Sequence, residues 1–164
     1  MTFLYPTPSP LSPILLSSDG EVLTNLYFIH SSEAALVENG GNLPIFKDVT
    51  KWLDDYFAGK RPNYIPEYQI NNATPFRREV LEILKTIPYG ETITYGEIAA
   101  QIAKNHNVGK MSAQAVGGAV GWNPIGIIIP CHRVLGVSKK LTGYSGGIDN
   151  KIGLLNIEGI KYAN

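Results

Sequence analysis

The sequence predicts a mixed α/β (α+β) protein, in which an N-terminal lobe with a small antiparallel sheet precedes a mainly helical C-terminal lobe. Near the N-terminus, two short apolar runs flank an Asp-Gly turn, which is the pattern of a hairpin. Four later segments combine apolar residues with residues that cap helices. The 164 residues, 44% apolar and 17% charged, are typical of a globular protein with one core or two small lobes.

The predicted strands come first in the chain. Ile14 to Leu23 is expected to form two strands around the turn at Asp19-Gly20, and Asn25 to His30 extends the second strand. The segment Met1 to Ser18 lacks the basic start of a signal peptide, and no run approaches the ~18 apolar residues of a membrane span. We therefore expect a cytoplasmic protein with no membrane partner.

A helix and a linker complete the first lobe. Asp48 can cap a helix that ends at Gly59. Its apolar side consists of Val49, Trp52, Leu53, Tyr56 and Phe57. Residues 63–74, which include a proline and paired asparagines, are expected to form an extended linker. We accordingly predict an N-terminal sheet lobe with its linker over residues 1–72 and a second domain over residues 73–164.

The formal charge differs between these two parts. Residues 1–72 hold four Lys and Arg against eight Asp and Glu, whereas the remainder holds ten against six. The positive balance of the second part is compatible with a polyanionic partner such as nucleic acid. Basic faces are, however, commonly no more than solvated surface.

The second domain is predicted to begin with a helix. Thr74 can cap it and Pro75 suits its first position, since proline lacks only an amide hydrogen that is unused there. Helical spacing of apolar residues continues until Ile87-Pro88, and Tyr89-Gly90 marks a turn. These signals predict a helix of about three turns.

Two shorter helices are expected to form a helix-turn-helix. Thr94 can cap a helix over Tyr95 to Ala103, and Ser112 can cap another over Ala113 to Val120. The second of these helices is built mostly from Ala and Gly, although Gly in a helix costs up to ~1 kcal/mol relative to Ala. Such small residues permit close approach of another backbone, either that of a nucleic acid or that of the protein itself.

The chain contains a single cysteine, Cys131, directly after the apolar run Ile127–Pro130 and before His132 and Arg133. One cysteine forms no internal disulfide, so nothing indicates an oxidising compartment. A lone thiol is often a buried core residue. Its position beside polar side chains at the end of an apolar run favours a nucleophile instead.

A nucleophilic thiol needs an activating partner, because a free cysteine with a pKa near 8.5 is mostly protonated at neutral pH. His132 is adjacent, but neighbours in an extended strand face opposite ways, so contact with Cys131 requires a turn or a bridging water. Glu158 is one candidate to orient the imidazole. These residues also leave a Cys-His hydrolase open, whereas the scattered histidines His30 and His106 fit no metal-site spacing.

The assembled motifs closely resemble those of the O6-alkylguanine-DNA alkyltransferases, also called methylated-DNA–protein-cysteine methyltransferases. The match is long and specific, and it is weak only in the first part of the chain. The matching segments are Trp52–Gly59, Thr74–Phe76, Tyr95–Ala99, Ala115–Ala119, Asn123-Pro124, Ile129–Val134, Gly143–Gly147 and Glu158-Gly159.

The resemblance implies a DNA repair protein that flips O6-methylguanine out of duplex DNA and transfers the alkyl group irreversibly to Cys131, with O4-methylthymine as a second candidate substrate. Flipping costs a few kcal/mol of lost stacking, so the pocket must bind the base edges well. The reaction is a single turnover with no metal, cofactor or added methyl donor. The partner implied is double-stranded DNA that contains O6-alkylguanine, bound by a monomer whose first lobe is ribonuclease-H-like.

The resemblance also implies roles for individual residues. Cys131 is the alkyl acceptor, His132 activates it through a water, Glu158 holds the histidine, Tyr95 donates towards N3 of the guanine, and Asn123 braces the turn before the active strand. Val134 and Ser145 recognise the base through backbone groups. The remaining residues expected to bind substrate or DNA are Ser112, Gln114, Ala115, Gly117, Arg133 and Tyr144.

The sequence departs from the family pattern at three places. Gln114 stands where well-known members carry an arginine that fills the space left by the flipped base. Trp122 occupies a position where a small, polar or basic residue is usual, and packing is its simplest role. The cysteines of an N-terminal zinc cluster are missing. A non-catalytic lesion binder of the related alkyltransferase-like kind is disfavoured, because those proteins have tryptophan in place of Cys131.

Overall fold

The computed structural model describes residues 1–164, and the chain divides into two compact units. The first unit comprises residues 1–71 and 124–128, and the second comprises residues 72–123 and 129–164. The strands are β1 (Thr2–Tyr5), β2 (Ile14–Ser18), β3 (Leu23–Phe28), β4 (Ile93–Thr94) and β5 (Val134–Leu135). The helices are α1 (Ser31–Ala34), α2 (Pro44–Phe57), α3 (Pro75–Lys85), α4 (Tyr95–Asn105), α5 (Ala113–Gly121) and α6 (Ile148–Ile157).

The first unit contains a three-stranded antiparallel sheet in the order β1-β2-β3. The predicted hairpin is confirmed, and Asp19 Oδ1 tightens its turn by accepting from the amides of Glu21 (2.9 Å) and Val22 (3.0 Å). Strand β1 was not predicted. It is a four-residue edge strand before a proline-rich stretch, so its sequence carries little of the alternation by which strands are found.

Helix α2 begins earlier than the sequence predicts. It starts at Pro44, which takes the first helical position after Leu43, so the prediction of Asp48 as the cap is wrong. The extra turn is stabilised by burial of Ile45 and Phe46, which are 4% and 2% exposed. The predicted end is confirmed, because Gly59 follows with φ +80°, a conformation that glycine adopts without strain.

Segments distant in sequence extend the edge of this sheet. Leu23 N donates to Glu67 O (3.0 Å), and Gln69 N donates to Leu23 O (2.9 Å), within the predicted extended linker. Further along, Leu26 bonds through its backbone to Pro124 O and Gly126 N. These bonds explain why residues 124–128 belong to the first unit.

The helix caps predicted for the second unit are confirmed. Thr74 Oγ1 accepts from Arg77 N (3.2 Å), Thr94 Oγ1 accepts from Glu97 N (3.0 Å), and Ser112 Oγ accepts from Ala115 N (3.2 Å). Glu97 completes a capping box by accepting from Thr94 N. Helices α3, α4 and α5 contact one another, and α4 and α5 are the predicted helix-turn-helix.

Helix α6 is not predicted by the sequence. Its buried residues are both polar and apolar, namely Asn150, Lys151, Leu154 and Leu155. The sequence therefore lacks the apolar stripe by which an amphipathic helix is recognised. None of the helices is long and apolar enough to cross a membrane.

Candidate active site

A single tight turn presents the thiol. Residues Cys131–Arg133 form one turn of 3-10 helix, and strand β5 begins only at Val134. The sequence required either a turn or a bridging water for contact between Cys131 and His132, and the structure has a turn in place of the strand geometry that would point them to opposite faces. Asn123 Nδ2 donates to Ile129 O (2.8 Å), so its side chain holds the backbone just before the turn.

Cys131 opens onto a cavity within the second unit. The thiol residue is 4% exposed, and the cavity has a volume of about 180 Å³. This volume lies below the range of pockets for drug-sized ligands and suits a single small ring system. The cavity is lined by Tyr95, Gly117, Val120, Gly121, Cys131, Gly143, Tyr144 and Ser145.

Glu158 is bonded to the turn of residues Cys131–Arg133, here called the thiol turn, and accepts three hydrogen bonds. Its Oε2 is 2.5 Å from His132 Nε2, and its Oε1 accepts from Arg133 Nε (2.7 Å) and Gly90 N (3.0 Å). Burial by itself would raise the pKa of this carboxyl, but the hydrogen bonds from His132 and Arg133 and the positive charge of Arg133 outweigh it and lower the pKa to about 2. Glu158 is therefore ionised at neutral pH.

The depressed pKa of Glu158 predicts how stability depends on acid. The carboxyl has its ordinary pKa of 4.5 in the unfolded chain. Its contribution to the free energy of unfolding is therefore complete above about pH 4.5 and is lost as the pH falls towards 2. The loss is on the order of 3 kcal/mol in the free energy of unfolding. Urea unfolding of the wild type and Glu158→Gln from pH 6 to pH 2.5 measures it. A parallel decline in both proteins would contradict the prediction.

The ionised Glu158 also determines the tautomer of His132. A carboxylate only accepts, so Nε2 carries the proton and Nδ1 is the basic nitrogen of the ring. Burial lowers the pKa of His132, against the opposing effect of Glu158, so the ring is neutral and able to take a proton.

The side chains of Asn123, Tyr144 and Lys151 influence the pKa of the Cys131 thiol. Burial raises the pKa of the thiol, while hydrogen bonds from Asn123 and Tyr144 and the positive charge of Lys151 act in the opposite direction. The resting site therefore holds a neutral thiol whose surroundings favour its anion once the proton is removed. Lys151 and its neighbour Thr142 were not identified from the sequence, because a lysine in an unrecognised helix carries no local sign of burial.

The residues predicted to bind DNA lie largely together on α5. Ser112, Gln114 and Ala115 are exposed at its N-terminal end, and Gly117 lines the cavity beside Tyr95. A Cβ built on Gly117 would lie 3.9 Å from the Tyr95 ring, which is ordinary contact distance. Alanine would therefore fit at this position, and the small residues of α5 that line the cavity are Gly117 and Gly121.

The structure places Val134, Ser145 and Tyr144 around the cavity or just behind it. Ser145 and Tyr144 line it, whereas the Val134 carbonyl accepts from Lys151 Nζ at 2.8 Å. Val134 itself is fully buried and does not line the cavity. Burial raises the pKa of Tyr144 well above its ordinary value, so its hydroxyl is a donor to the sulfur.

Arg133 is placed differently from the other residues predicted to bind DNA. Its guanidinium points inward, where Nε donates to Glu158 and Nη1 donates to Ile87 O (2.8 Å). Only 9% of the residue is exposed. This position suits a residue that positions Glu158, because an arginine engaged by buried acceptors is not available to phosphates.

Trp122 packs at the C-terminal end of α5. The Arg77 guanidinium lies 4.7 Å from the centroid of its ring, the geometry of a cation–π contact. Its large side chain therefore contributes packing between α5 and α3.

Comparison with protein families identifies the chain. Residues 4–64 match the family described as 6-O-methylguanine DNA methyltransferase, ribonuclease-like domain, and residues 75–160 match the DNA binding domain of the same family. The chain belongs to the 6-O-methylguanine DNA methyltransferase family. The resemblance drawn from the motifs is confirmed, and so is the mixed α+β fold.

Two curated methyltransferases illustrate the extent of the similarity. The methylated-DNA–protein-cysteine methyltransferase of Mycobacterium leprae is 43% identical over 92% of this chain and 88% of its own length. That of Haemophilus influenzae is 40% identical over 99% of this chain and 90% of its own. The similarity therefore spans both units.

Two solved methyltransferase structures share the fold. The Mycobacterium tuberculosis O6-methylguanine methyltransferase has a TM-score of 0.75 with 40% identity, covering 100% of this chain and 97% of its own. The structure of Mycobacterium tuberculosis OGT in complex with DNA has a TM-score of 0.76 with 42% identity, covering 95% of this chain and 92% of its own.

Proposed function

We propose that the chain repairs O6-methylguanine in double-stranded DNA by receiving the base in the 180 Å³ cavity and moving the methyl group to Cys131 Sγ. The observation that carries this proposal is the position of the only cysteine, buried at the floor of a base-sized cavity beside a buried His-Glu pair. DNA is the partner, as expected for a member of this family and as seen in the complex of its Mycobacterium tuberculosis relative.

The first step is removal of the thiol proton. With Nε2 bound to Glu158, His132 takes the proton at Nδ1 through a bridging water, and the resulting imidazolium is stabilised by the carboxylate. Tyr144, Asn123 and the Lys151 charge stabilise the thiolate. Because the pair is buried, the anion forms where the alkyl group is to be received and is shielded from solvent.

The second step is displacement at the alkyl carbon. The Sγ–C bond forms as the C–O6 bond breaks, and the electron pair moves onto O6 and the ring of the guanine. Tyr95, whose pKa is raised by burial, donates towards N3 and makes the base a better leaving group. The proton taken from the thiol balances the guanine product, and the thioether that remains on Cys131 is stable.

The base must leave the duplex to reach this cavity. Helix α5 presents its small residues beside the cavity, so it can approach the minor groove closely, and Gln114 at its exposed end can occupy the space left by the base. Amide groups at Ser145 and the Val134 carbonyl would bind the base edge. A working thiol of this kind suits a reducing compartment such as the cytoplasm.

Mass spectrometry of the intact protein tests the proposal. Incubation with an equimolar duplex that contains O6-methylguanine should add about 14 Da, one methyl group in place of one proton, to Cys131. An unmethylated duplex of the same sequence should add nothing. Multiple turnovers without a persistent adduct would contradict the proposal and favour the Cys-His hydrolase.

Replacing Gln114 by alanine should slow repair more than it weakens binding to undamaged duplex. The shorter side chain no longer supports the extruded state, so repair is expected to slow by about tenfold. Affinity for undamaged duplex, which depends mainly on phosphate contacts, should change by less than about threefold. Single-turnover rates and fluorescence anisotropy measure the two effects, with Gln69→Ala in the first unit as the control. Equal losses in both assays would indicate that Gln114 contacts only the DNA backbone.

A further inference from the structure

Lys151 is a buried cation with fixed partners next to the cavity. The residue is 0% exposed, and its ammonium donates to Val134 O at 2.8 Å and to Thr142 Oγ1 at 3.1 Å, with Gly143 O at 3.5 Å. Burial lowers the pKa of Lys151 to about 8, so the side chain is still an ammonium at neutral pH, and its three partners are uncharged oxygens. The three oxygens therefore hold the ammonium in one position.

Thr142 connects this ammonium to Tyr95. Its Oγ1 lies 3.1 Å from Lys151 Nζ and 3.1 Å from the hydroxyl oxygen of Tyr95. An ammonium only donates, so Thr142 Oγ1 is an acceptor in its bond to Lys151. The threonine proton then has one acceptor among its observed partners, which is the Tyr95 oxygen.

The direction of these bonds decides where the Tyr95 proton points. When Thr142 donates to the Tyr95 oxygen, the proton of the tyrosine remains available to a group in the cavity that Tyr95 lines together with Cys131. If Thr142 accepted from Tyr95 instead, that proton would be occupied and unavailable to a bound base. Because the Lys151 ammonium occupies one lone pair of Thr142 Oγ1, it favours the arrangement in which the threonine donates to Tyr95.

We propose that Thr142 and Lys151 are positioning residues that orient the Tyr95 hydroxyl towards N3 of the departing guanine, an inference that rests on the function proposed above. As the C–O6 bond breaks and its electron pair enters the ring, the Tyr95 proton shifts towards N3. Negative charge that develops on the Tyr95 oxygen is met by the Thr142 proton, which the Lys151 charge supports. No atom is gained or lost beyond the methyl transfer and the thiol proton.

Two substitutions at Thr142 test the proposal. Thr142→Val removes the hydroxyl at nearly constant size and should slow methyl transfer by about tenfold at saturating DNA, as expected for one hydrogen bond in the transition state. Thr142→Ser keeps the hydroxyl and should remain within about twofold of the wild type. Added to Tyr95→Phe, the Thr142→Val change should cause no further loss, because it acts through the missing hydroxyl.

A modified base distinguishes orientation of Tyr95 from general damage to the site. A duplex with 3-deaza-O6-methylguanine has a C–H group in place of N3 and offers Tyr95 no acceptor. Thr142→Val should therefore react with this base at the wild-type rate for the same base. Alkylation of Cys131 by iodoacetamide and the DNA dissociation constant should also be unchanged.

Equal slowing of Thr142→Val on both bases, or no slowing on O6-methylguanine, would overturn the inference. If Thr142→Val does not fold in thermal unfolding assays, Thr142→Ala takes its place in the same comparison. A wild-type protein that acquires no methyl group from either duplex would instead refute the proposed function. If the wild type is methylated and Thr142→Val reacts with O6-methylguanine at the wild-type rate, only the role of Thr142 and Lys151 is refuted.

Discussion

Replacing Cys131 by serine is expected to abolish methyl transfer, with a loss of about 10⁴-fold or more in rate. A serine hydroxyl is far less acidic than a thiol, so neutral His132 does not generate an oxygen anion from it. Transfer of a radiolabelled methyl group from duplex to protein measures the effect. Because Cys131 is the only cysteine, no other thiol can accept the label in its place.

DNA binding should be independent of that substitution. Affinity for a duplex comes mainly from phosphate contacts, and Cys131 is buried, so the dissociation constant of Cys131→Ser should stay within about threefold of the wild type. The Cys131→Ser variant should therefore bind DNA that contains the lesion without repairing it. Label transfer that survives the substitution would refute Cys131 as the acceptor.

Replacing Glu158 by glutamine should be the next most damaging change. An amide presents both a donor and an acceptor where the structure requires an acceptor towards His132, Arg133 and Gly90. With the carboxylate gone, the Nε2–H tautomer of His132 is no longer enforced and the imidazolium loses its stabilising charge. We expect transfer to slow by about 10³-fold, within the range of general base catalysis.

A second His-Glu pair offers a matched control. Glu79 Oε2 lies 2.7 Å from His106 Nε2, the same pair of residue types, but the pair is solvent-exposed and its residues line no part of the cavity. Glu79→Gln should therefore leave the transfer rate within about twofold, as is usual for exposed pairs. The Glu158→Gln variant must also be shown to fold by circular dichroism, since Arg133 loses its buried partner. A folded Glu158→Gln protein with the wild-type rate would contradict the assigned role.

Local chemistry made much of the second unit predictable. A threonine or serine at the start of a helix accepts a hydrogen bond from the amide three residues later. Thr74, Thr94 and Ser112 therefore predict the starts of their helices from local sequence alone. The prediction failed at Asp48 for the converse reason. Burial of apolar residues one turn earlier outweighed a good capping residue, and burial depends on what packs against the helix.

The site residues also form two groups, those that the motifs identify and those that only the structure brings to the site. The motifs point to Cys131, His132 and Glu158, because the family resemblance connects residues that spacing alone cannot pair. Neither the motifs nor the spacing gave a reason to single out Thr142 or Lys151. Nor did they indicate that Arg133 faces Glu158 instead of solvent.

The motifs along the chain are sufficient to identify the family, the order of most elements and the single thiol that accepts the alkyl group. How that thiol is activated depends on the folded arrangement, because the bonds that activate it join residues far apart in the chain. Glu158 lies 26 residues from His132 and 68 from Gly90, yet bonds to both. Hydrogen bonds of this kind depend on burial and direction, which the packing of α6 and the thiol turn establishes and local sequence does not encode.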